Sequence, residues 1–264
     1  MDMQLNEKKA LITGSSSGIG YAIAEALAAE GADVIITGRH EITVSEAVHK
    51  IKHLHPETNP RGITGDCSTQ TGCEKIFDAA PSVDILINNL GIYERKPFFE
   101  IEDDDWMRFF EINVMSGIRF SRFYTPKMVA NKWGRVIFVS SESGLMIPPE
   151  MIHYGFSKSA QLSISRGLAM SLSGTGVTVN ALLPGPTRTD TTEKQRKERA
   201  QDWGISLETL EREFFEKFRP TSIIQRFAAA EEAAPMAVYL CSPLSALTTG
   251  ATLRVEGGIV NQIT

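Results

Sequence analysis

The feature that most constrains the fold of this chain is an alternation of short β-branched runs with longer helical patterns. The apolar runs are nearly continuous, as at 34–36 and 85–87. Continuous runs are typical of strands covered on both faces, which is the environment of a parallel sheet. The sequence predicts seven strands, at residues 10–13, 34–37, 62–66, 85–88, 136–140, 177–183 and 252–255.

Amphipathic stretches between the strands are long enough for right-handed crossover helices, notably at 19–30, 104–131 and 155–173. We therefore expect a Rossmann-like, doubly wound α/β fold, a three-layer α/β/α sandwich around a seven-stranded parallel sheet. Ligands of such sheets bind beyond the carboxyl ends of the strands. Residues at strand-to-helix junctions are therefore the first to inspect.

Chain length, composition and net charge limit the number of domains and the kinds of partner. A chain of 264 residues with 42% hydrophobic content can bury one full core, so we expect one domain over 1–264. The net charge of -5 argues against nucleic acid and against an anionic membrane surface, which both attract clustered positive charge. A polar start and no apolar window of membrane length predict a cytoplasmic protein. A small molecule is the expected partner.

The cysteines and histidines do not predict a metal site. Cys67, Cys73 and Cys241 lack CxxC spacing, and an odd number suits reduced thiols. His49 and His53 stand four residues apart on a predicted helix, where they would be able to share a metal ion. No nearby cysteine or aspartate completes a ligand set, so we expect a solvated helix end, no metal and no disulfide.

One segment, residues 187–227, interrupts the alternation. It is charged and helix-prone, at 193–199 and 206–217, and contains no convincing strand. Long connections in compact domains are usually functional. We expect a helical substrate lid that a ligand orders, and we call these residues the lid segment.

A glycine-rich turn follows the first strand and opens the first helix, reading Thr-Gly-Ser-Ser-Ser-Gly-Ile-Gly over 13–20. Glycines permit close backbone approach, and free N–H groups at a helix N-terminus attract pyrophosphate. An ordinary strand-to-helix turn is the alternative. The expected dinucleotide contacts here are Gly14, Ser15, Ser16, Ser17, Gly18, Ile19 and Gly20.

This glycine spacing resembles that of the short-chain dehydrogenase/reductase family. Further motifs similar to those of the family follow in order: Asn-Asn-Leu-Gly at 88–91, Asn113, Ser-Ser at 140–141, Tyr-Gly-Phe-Ser-Lys at 154–158, Pro-Gly at 184–185 and Arg-Val-Glu-Gly-Gly at 254–258. The resemblance covers essentially the whole chain. It implies an NAD(P)-dependent oxidoreductase that acts on a carbonyl/alcohol pair.

The chemistry explains why a lysine follows a tyrosine by four residues. A free tyrosine has a pKa of about 10, so a neighbouring cation must favour its phenolate near neutrality. Lys158 stands one helical turn after Tyr154. The resemblance implies that Tyr154 is the acid/base and that Ser141, with Ser140 as its rival, hydrogen-bonds the substrate oxygen. It also implies that Asn113 holds a water linking Lys158 to solvent.

The end of the second strand carries the residue that selects the cofactor. An acidic side chain there would bond the ribose of NAD, whereas an arginine accommodates the 2′-phosphate of NADP. Arg39 therefore favours NADP(H), and NAD(H) stays open because Ser17 offers no second basic group. The resemblance assigns Asp66 to the adenine amino group and extends the cofactor cleft along Cys67, Asn89, Gly91, Tyr154, Lys158, Pro184, Gly185, Thr187 and Thr189. Leu90 replaces the family's alanine and must be housed near the cofactor.

Two functions follow from these residues. The first is a ketone reductase or alcohol dehydrogenase, with a 3-oxoacyl reductase as one form. The alternative is a catalytically idle NADP-binding redox sensor or scaffold, against which the intact set of catalytic motifs argues. The resemblance also implies a homo-oligomer, a dimer or tetramer, formed through the two long helices. Apolar residues there would serve either that interface or the core: Val114, Met115, Ile118, Phe120, Leu162, Ile164 and Leu168.

Overall fold

Nine strands carry the backbone of the fold in the computed structural model, which describes residues 1–263. They are β1 (Lys9–Ile12), β2 (Asp33–Gly38), β3 (Arg61–Thr64), β4 (Ile85–Asn88), β5 (Gly134–Val139), β6 (Val177–Pro184), β7 (Thr187–Arg188), β8 (Ala228–Ala229) and β9 (Thr252–Val255). Seven of them form one parallel sheet in the order β3-β2-β1-β4-β5-β6-β9. The strand order reverses between β1 and β4, and a crevice for a ligand is expected there. The predicted seven-stranded doubly wound sheet is confirmed.

Nine α-helices accompany the strands within residues 1–263. They are α1 (Gly18–Ala29), α2 (Glu41–Leu54), α3 (Gln70–Ala79), α4 (Asp103–Phe109), α5 (Ser116–Ala130), α6 (Ile152–Ser171), α7 (Asp190–Trp203), α8 (Leu207–Phe218) and α9 (Ala234–Cys241). In this part of the chain, none of the helices has the length and apolar character needed to cross a membrane.

Alternate side chains of each central strand enter one of two separate cores. In β1, Ala10 and Ile12 pack with α1, α2 and α9, whereas Leu11 packs with α3 and α5 on the opposite face. All three side chains are fully buried. Because successive side chains of a strand point to opposite faces, a continuous apolar run fills both cores. The predicted three-layer sandwich is confirmed.

The helix predicted over 104–131 is wrong in one respect, because a π-helical turn, Phe110–Met115, separates α4 from α5. A π turn inserts an extra residue into the helical repeat, which a pattern of period 3.6 does not reveal. The turn brings Asn113 to a fully buried position.

Two of the apolar residues considered for an oligomer interface, Val114 and Phe120, are buried within the chain, so they belong to its own core.

The expectation that the lid segment contains no strand is also wrong. β7 lies inside it and pairs in parallel with β8. Two residues are too few to show strand periodicity, and their partner lies about forty residues further along the chain. The helix predicted at 155–173 begins earlier, at Ile152, after a short 3-10 turn at Pro149–Met151.

His153 is a polar side chain buried among aromatic rings. It is fully buried, and within the described residues neither ring nitrogen has a hydrogen-bond partner. Its ring packs edge-on against Phe109, with ring centroids 4.2 Å apart. Burial lowers the pKa of His153 below its ordinary value of 6.5. Because the unfolded chain binds the proton more readily, this residue destabilises the folded state increasingly as the pH falls below that ordinary value.

We expect His153→Leu to raise the free energy of unfolding by about 1 kcal/mol at neutral pH, since it removes an unsatisfied polar group, and by more at about pH 5. Urea unfolding at both pH values measures the gain. His53→Leu, at an exposed position of α2, is the matched control and should change stability little. A loss of stability in His153→Leu at both pH values would mean that the ring nitrogens are hydrogen-bonded in solution.

Candidate active site

The glycine-rich turn is bound to β2 by its own polar groups. Gly14 and Gly18 have φ values of +63° and +60°, which favour glycine. The Ser15 hydroxyl donates to the Ile12 carbonyl at 2.8 Å, and the Ser15 N–H donates to the Thr37 carbonyl at 2.9 Å. Ser15 is fully buried, and both of its donors are engaged within the protein, so it shapes the turn, while its contact with a cofactor stays a prediction.

Asn89 holds the same turn from β4. Its Nδ2 donates to the carbonyls of Thr13 at 2.9 Å and Gly14 at 3.1 Å. A Cβ at Gly20 would lie 2.4 Å from this Nδ2, so only glycine fits there. Leu90 packs beneath the turn, with its Cδ1 3.2 Å from the position of a Cβ on Gly14. The structure thus places Asn89 under the turn, and it houses the Leu90 side chain there as well.

The entrance of α1 fits a phosphate group. Ser17 occupies the N-cap position without a side-chain hydrogen bond, so its side chain does not cap the first amides of the helix, and such amides attract anions. A Cβ at Gly18 would lie 3.2 Å from Cγ2 of Thr189, which brings the start of α7 over the turn. Ile19, Thr187 and Thr189 line one cavity with Gly185. These residues are able to hold the pyrophosphate of a dinucleotide.

The adenosine end of the predicted cleft is more open. Arg39 is exposed directly after β2. Asp66 accepts hydrogen bonds at Oδ1 from the Ser68 N–H at 2.9 Å and hydroxyl at 2.7 Å, which orients the carboxylate and leaves Oδ2 for a ligand. Cys67 is buried, and burial raises the pKa of its thiol to about 11. The predicted contact of Cys67 with a cofactor stays a prediction.

Three of the predicted catalytic residues meet where β5 ends and α6 begins. Tyr154 lies in the first turn of α6 and Lys158 one turn later, with Nζ 5.7 Å from the centroid of the Tyr154 ring. Ser141 follows β5 and lines the same cavity as Tyr154, whose volume is about 940 Å³. The neighbouring Ser140 hydroxyl instead donates to the Lys158 carbonyl at 2.9 Å, so Ser141 is the serine that faces the cavity.

Burial is the largest influence on the pKa values of Tyr154 and Lys158. Burial raises the pKa of Tyr154, the nearby Glu142 raises it further, and a contact with Ser141 only partly offsets them. Burial lowers the pKa of Lys158 to about 8, against the opposing effect of Glu142. Burial thus outweighs the contacts that lower the pKa of Tyr154 in this structure, and stabilisation of its phenolate by Lys158 stays a prediction. The physical reason for both shifts is that both groups are removed from water, which disfavours both charged forms.

Asn113 joins the loop after β4 to the π turn. Its Oδ1 accepts from the Ile92 N–H at 2.7 Å, and its Nδ2 donates to the Ile92 carbonyl and the Ser157 hydroxyl, both at 2.9 Å. A Cβ at Gly91 would lie 3.3 Å from Nζ of Lys158, so this glycine keeps the space beside the ammonium open. Asn113 thereby positions the backbone around Lys158.

Gln161, which sequence reasoning missed, connects Lys158 to Asn113. Lys158 Nζ donates to the Val139 carbonyl at 3.0 Å and to Gln161 Oε1 at 3.3 Å. Gln161 Nε2 in turn donates to the Asn113 carbonyl at 2.6 Å. The sequence did contain a signal for Gln161, because a glutamine three residues after Lys158 falls on the same helical face. The water-holding role of Asn113 stays a prediction.

A buried ion pair beside Ser141 was also missed. The Glu142 carboxylate, 3% exposed, accepts hydrogen bonds from Ser141 Oγ, from Ser143 Oγ at 3.1 Å and from Arg219 Nε at 2.9 Å. Arg219 belongs to the lid segment and also lies 3.7 Å from Glu150. A carboxylate directly after a buried strand was a visible signal for Glu142, but nothing local pointed to its partner 77 residues away.

Further predicted site residues lie at the end of β6. Pro184 ends β6, Gly185 follows it, and the Thr187 hydroxyl donates to the Gly185 carbonyl at 2.8 Å. The chain's cysteines are free and buried. Within residues 1–263 no group of three or more histidine, cysteine, aspartate or glutamate side chains could hold a metal ion.

Comparison with known proteins places this geometry among oxidoreductases. A family model described as short chain dehydrogenase matches residues 8–200. The chain is 46% identical over 263 residues to the uncharacterized oxidoreductase YvaG of Bacillus subtilis, with 100% of both chains covered. It is 31% identical to the 3-oxoacyl-(acyl-carrier-protein) reductase FabG of Aquifex aeolicus, covering 98% of this chain and 100% of that protein. The crystal structure of L-sorbose reductase from Gluconobacter frateurii, complexed with NADPH and L-sorbose, superposes with a TM-score of 0.93 at 30% identity, covering 100% of each chain.

Proposed function

Since this chain belongs to the short-chain dehydrogenase/reductase family, we propose that it reduces the carbonyl group of a small molecule with NADPH, and oxidises the corresponding alcohol in reverse. Family membership makes it an NAD(P)-dependent oxidoreductase and confirms the resemblance drawn from its motifs. The observation that carries the proposal is that Ser141 and Tyr154 line one cavity, with Lys158 buried behind the Tyr154 ring, its Nζ 5.7 Å from the ring centroid.

When bound, the nicotinamide supplies or accepts the hydride at this cavity. The chain's own residues handle the proton. Because burial raises the pKa of Tyr154, its phenol is protonated at neutral pH, and its Oη donates that proton to the carbonyl oxygen as the alcohol forms. Ser141 Oγ, which donates its hydrogen to Glu142 in this structure, turns that donor to the same carbonyl oxygen when the substrate binds. Lys158, held by Val139 and Gln161, stands beside the phenol and stabilises the phenolate that remains.

A panel of ketones, keto sugars and 3-oxoacyl thioesters, each mixed with NADPH and the protein, tests this function. Loss of NADPH absorbance with at least one carbonyl, together with formation of its alcohol, is the expected result. If the protein binds NADPH but reduces none of them, and equally oxidises none of the matching alcohols with NADP⁺, the proposed activity is wrong.

We further propose that NADP(H) is the preferred cofactor. The support is the exposed guanidinium of Arg39 directly after β2 and the absence of an acidic residue at 37–40. Among similar proteins, L-sorbose reductase was crystallised with NADPH.

Glu142 should set the pH dependence of the reaction. Burial raises the pKa of Tyr154, and the Glu142 charge raises it further. Glu142→Gln keeps an acceptor for Ser141 but removes the charge, so the pKa of Tyr154 should fall. Alcohol oxidation, which needs the phenolate, should then begin at lower pH than in the wild type. The measurement is kcat/KM for oxidation as a function of pH.

The matched control for this measurement is Glu150→Gln, because Glu150 lies near the same Arg219 but does not accept a hydrogen bond from Ser141. Its pH profile should shift less. A Glu142→Gln profile that is unchanged, or shifted toward alkaline pH, would contradict the electrostatic role.

The lid role of residues 187–227 also stays a proposal. The segment contributes Thr192, Leu210 and Phe214 to the wall of the cavity, and Arg219 ties it to Glu142. Hydrogen exchange in this segment should slow when NADPH and a carbonyl ligand bind together, while exchange in β5 stays constant. Equal protection with and without ligands would identify a fixed part of the fold. The homo-oligomer and the cytoplasmic location stay predictions.

A further inference from the structure

Two arginines line the cavity without an ion-pair partner among residues 1–263. Arg95, in the loop after β4, and Arg199, in α7, both line the cavity that holds Ser141 and Tyr154. The Arg95 guanidinium stacks on two rings of α8, 5.6 Å from the centroid of Phe214 and 4.6 Å from that of Phe218. The rings fix its position, but they accept none of its five N–H groups in the plane of the guanidinium.

The acidic groups of the cavity wall are mostly committed elsewhere. Among the described residues, Glu94 pairs with Arg108, Glu142 with Arg219, Glu213 with Lys217, and Glu198 with Lys194 at 3.9 Å. Neither Arg95 nor Arg199 takes part in these pairs. The remaining lining carboxylate, Asp202, is exposed, as is Arg199, so water and salt screen both of these charges. Arg95 is partly buried, so its positive charge is the one that the wall leaves both unpaired and poorly screened among the described residues.

The environment of Arg95 is unfavourable for a charge. Burial lowers the pKa of Arg95, and the positive charges of Arg199 and Arg219 lower it further, while Glu150 opposes them. Three guanidinium groups thus converge, and Arg219 is the only one of them engaged in an ion pair within residues 1–263. Removing a cation from water without a counterion is costly. A bound anion would relieve that cost.

This cationic wall lies at the reaction end of the cavity. Tyr93, two residues before Arg95, and Arg219 are both close enough to Tyr154 to influence its pKa. The Tyr93 hydroxyl donates to Gln195 Oε1 of α7 at 2.6 Å, which joins the Arg95 loop to the helix that carries Arg199. The expected sites for cofactor phosphates, the entrance of α1 and Arg39, belong to other strands. An anion bound beside Arg95 and Arg199 is therefore part of the substrate and not of the cofactor.

We propose that Arg95 and Arg199 form an anion-binding subsite, so that the substrate is a carbonyl compound carrying a carboxylate or phosphate group remote from the reacting carbon. Arg95, fixed on the rings of Phe214 and Phe218, presents its N–H groups to two oxygens of that anion. Arg199 adds charge from the lid segment, so that binding the anion also favours its closure. This assignment rests on the proposed carbonyl reduction.

The test compares matched pairs of probes that differ in one charge. Acetoacetate and levulinate are each compared with their methyl esters, and dihydroxyacetone phosphate with dihydroxyacetone, so that the two kinds of anion are distinguished. We expect kcat/KM to favour at least one anion over its neutral partner by about tenfold or more, the range of a charge-assisted hydrogen bond. Arg95→Met, which keeps the aliphatic stem, should abolish that preference by lowering kcat/KM for the anion much more than for its neutral partner.

Arg212→Met is the matched control, because Arg212 is an exposed arginine of α8 outside this cavity, and it should keep the preference. Titration calorimetry of the same probes into the protein saturated with NADP⁺ measures binding without turnover. If neutral ketones are reduced as well as anions, and Arg95→Met changes neither, the subsite is wrong while the proposed function stands. If Arg95→Met weakens NADPH binding with no effect on the probe ratio, the arginine serves the cofactor, and the subsite is wrong. If no probe is reduced but anions bind through Arg95, the subsite stands and the proposed reaction fails.

Discussion

Tyr154→Phe is expected to lower kcat for carbonyl reduction by about 10²- to 10⁴-fold, the usual contribution of a positioned acid or base, while NADPH binding stays nearly intact. The substitution removes the hydroxyl that supplies the proton. It keeps the ring, which packs against Phe109 with centroids 6.5 Å apart. The loss should therefore appear in the chemical step and not in the affinity for the cofactor.

Single-turnover reduction and a fluorescence titration with NADPH separate these two effects. Tyr93→Phe is the matched control, since it removes a phenol from the wall of the same cavity and should cost far less in kcat. Retention by Tyr154→Phe of more than a few per cent of wild-type turnover would show that another group supplies the proton.

Arg39→Ala is expected to weaken NADPH binding by about ten- to a hundredfold, because a hydrogen bond to a charged group contributes about 1.5 to 3 kcal/mol. NADH binding should hardly change, since NADH has no 2′-phosphate to lose. Titration of both cofactors at fixed ionic strength measures the difference, because salt screens an exposed phosphate contact.

Arg122→Ala controls for the loss of one positive charge, since Arg122 is exposed on α5, away from the end of β2. It should leave both affinities unchanged.

An aspartate intended to favour NAD is better tested as Arg39→Asp than as Gly38→Asp. A Cβ at Gly38 would lie 3.0 Å from Ser16 Oγ and from Val44 Cγ2, so a side chain there would crowd the glycine-rich turn. Equal wild-type affinity for NADH and NADPH would refute the role of Arg39.

The fold was predictable because its signals are local and repeated. Each central strand is a run of consecutive apolar residues, and each run fills both cores. The predictions of secondary structure were wrong where the sequence pattern of an element is short or irregular. The two residues of β7 are too few to display strand periodicity, and the π turn around Asn113 departs from the helical period on which the prediction depends.

The sequence by itself determined the parallel sheet, the glycine-rich turn and the spacing of Tyr154 and Lys158, because each is encoded within a few neighbouring residues. Only the tertiary structure decided what surrounds them. In the folded chain, Ser15 and Asn89 hold the glycine-rich turn by hydrogen bonds. Arg219 contacts Glu142, which lies 77 residues away in the sequence. Arg95 lines the cavity. The physical reason is that burial and charge act through space. The pKa of Tyr154 depends on the water it loses and on a carboxylate that only folding and the lid segment hold in place.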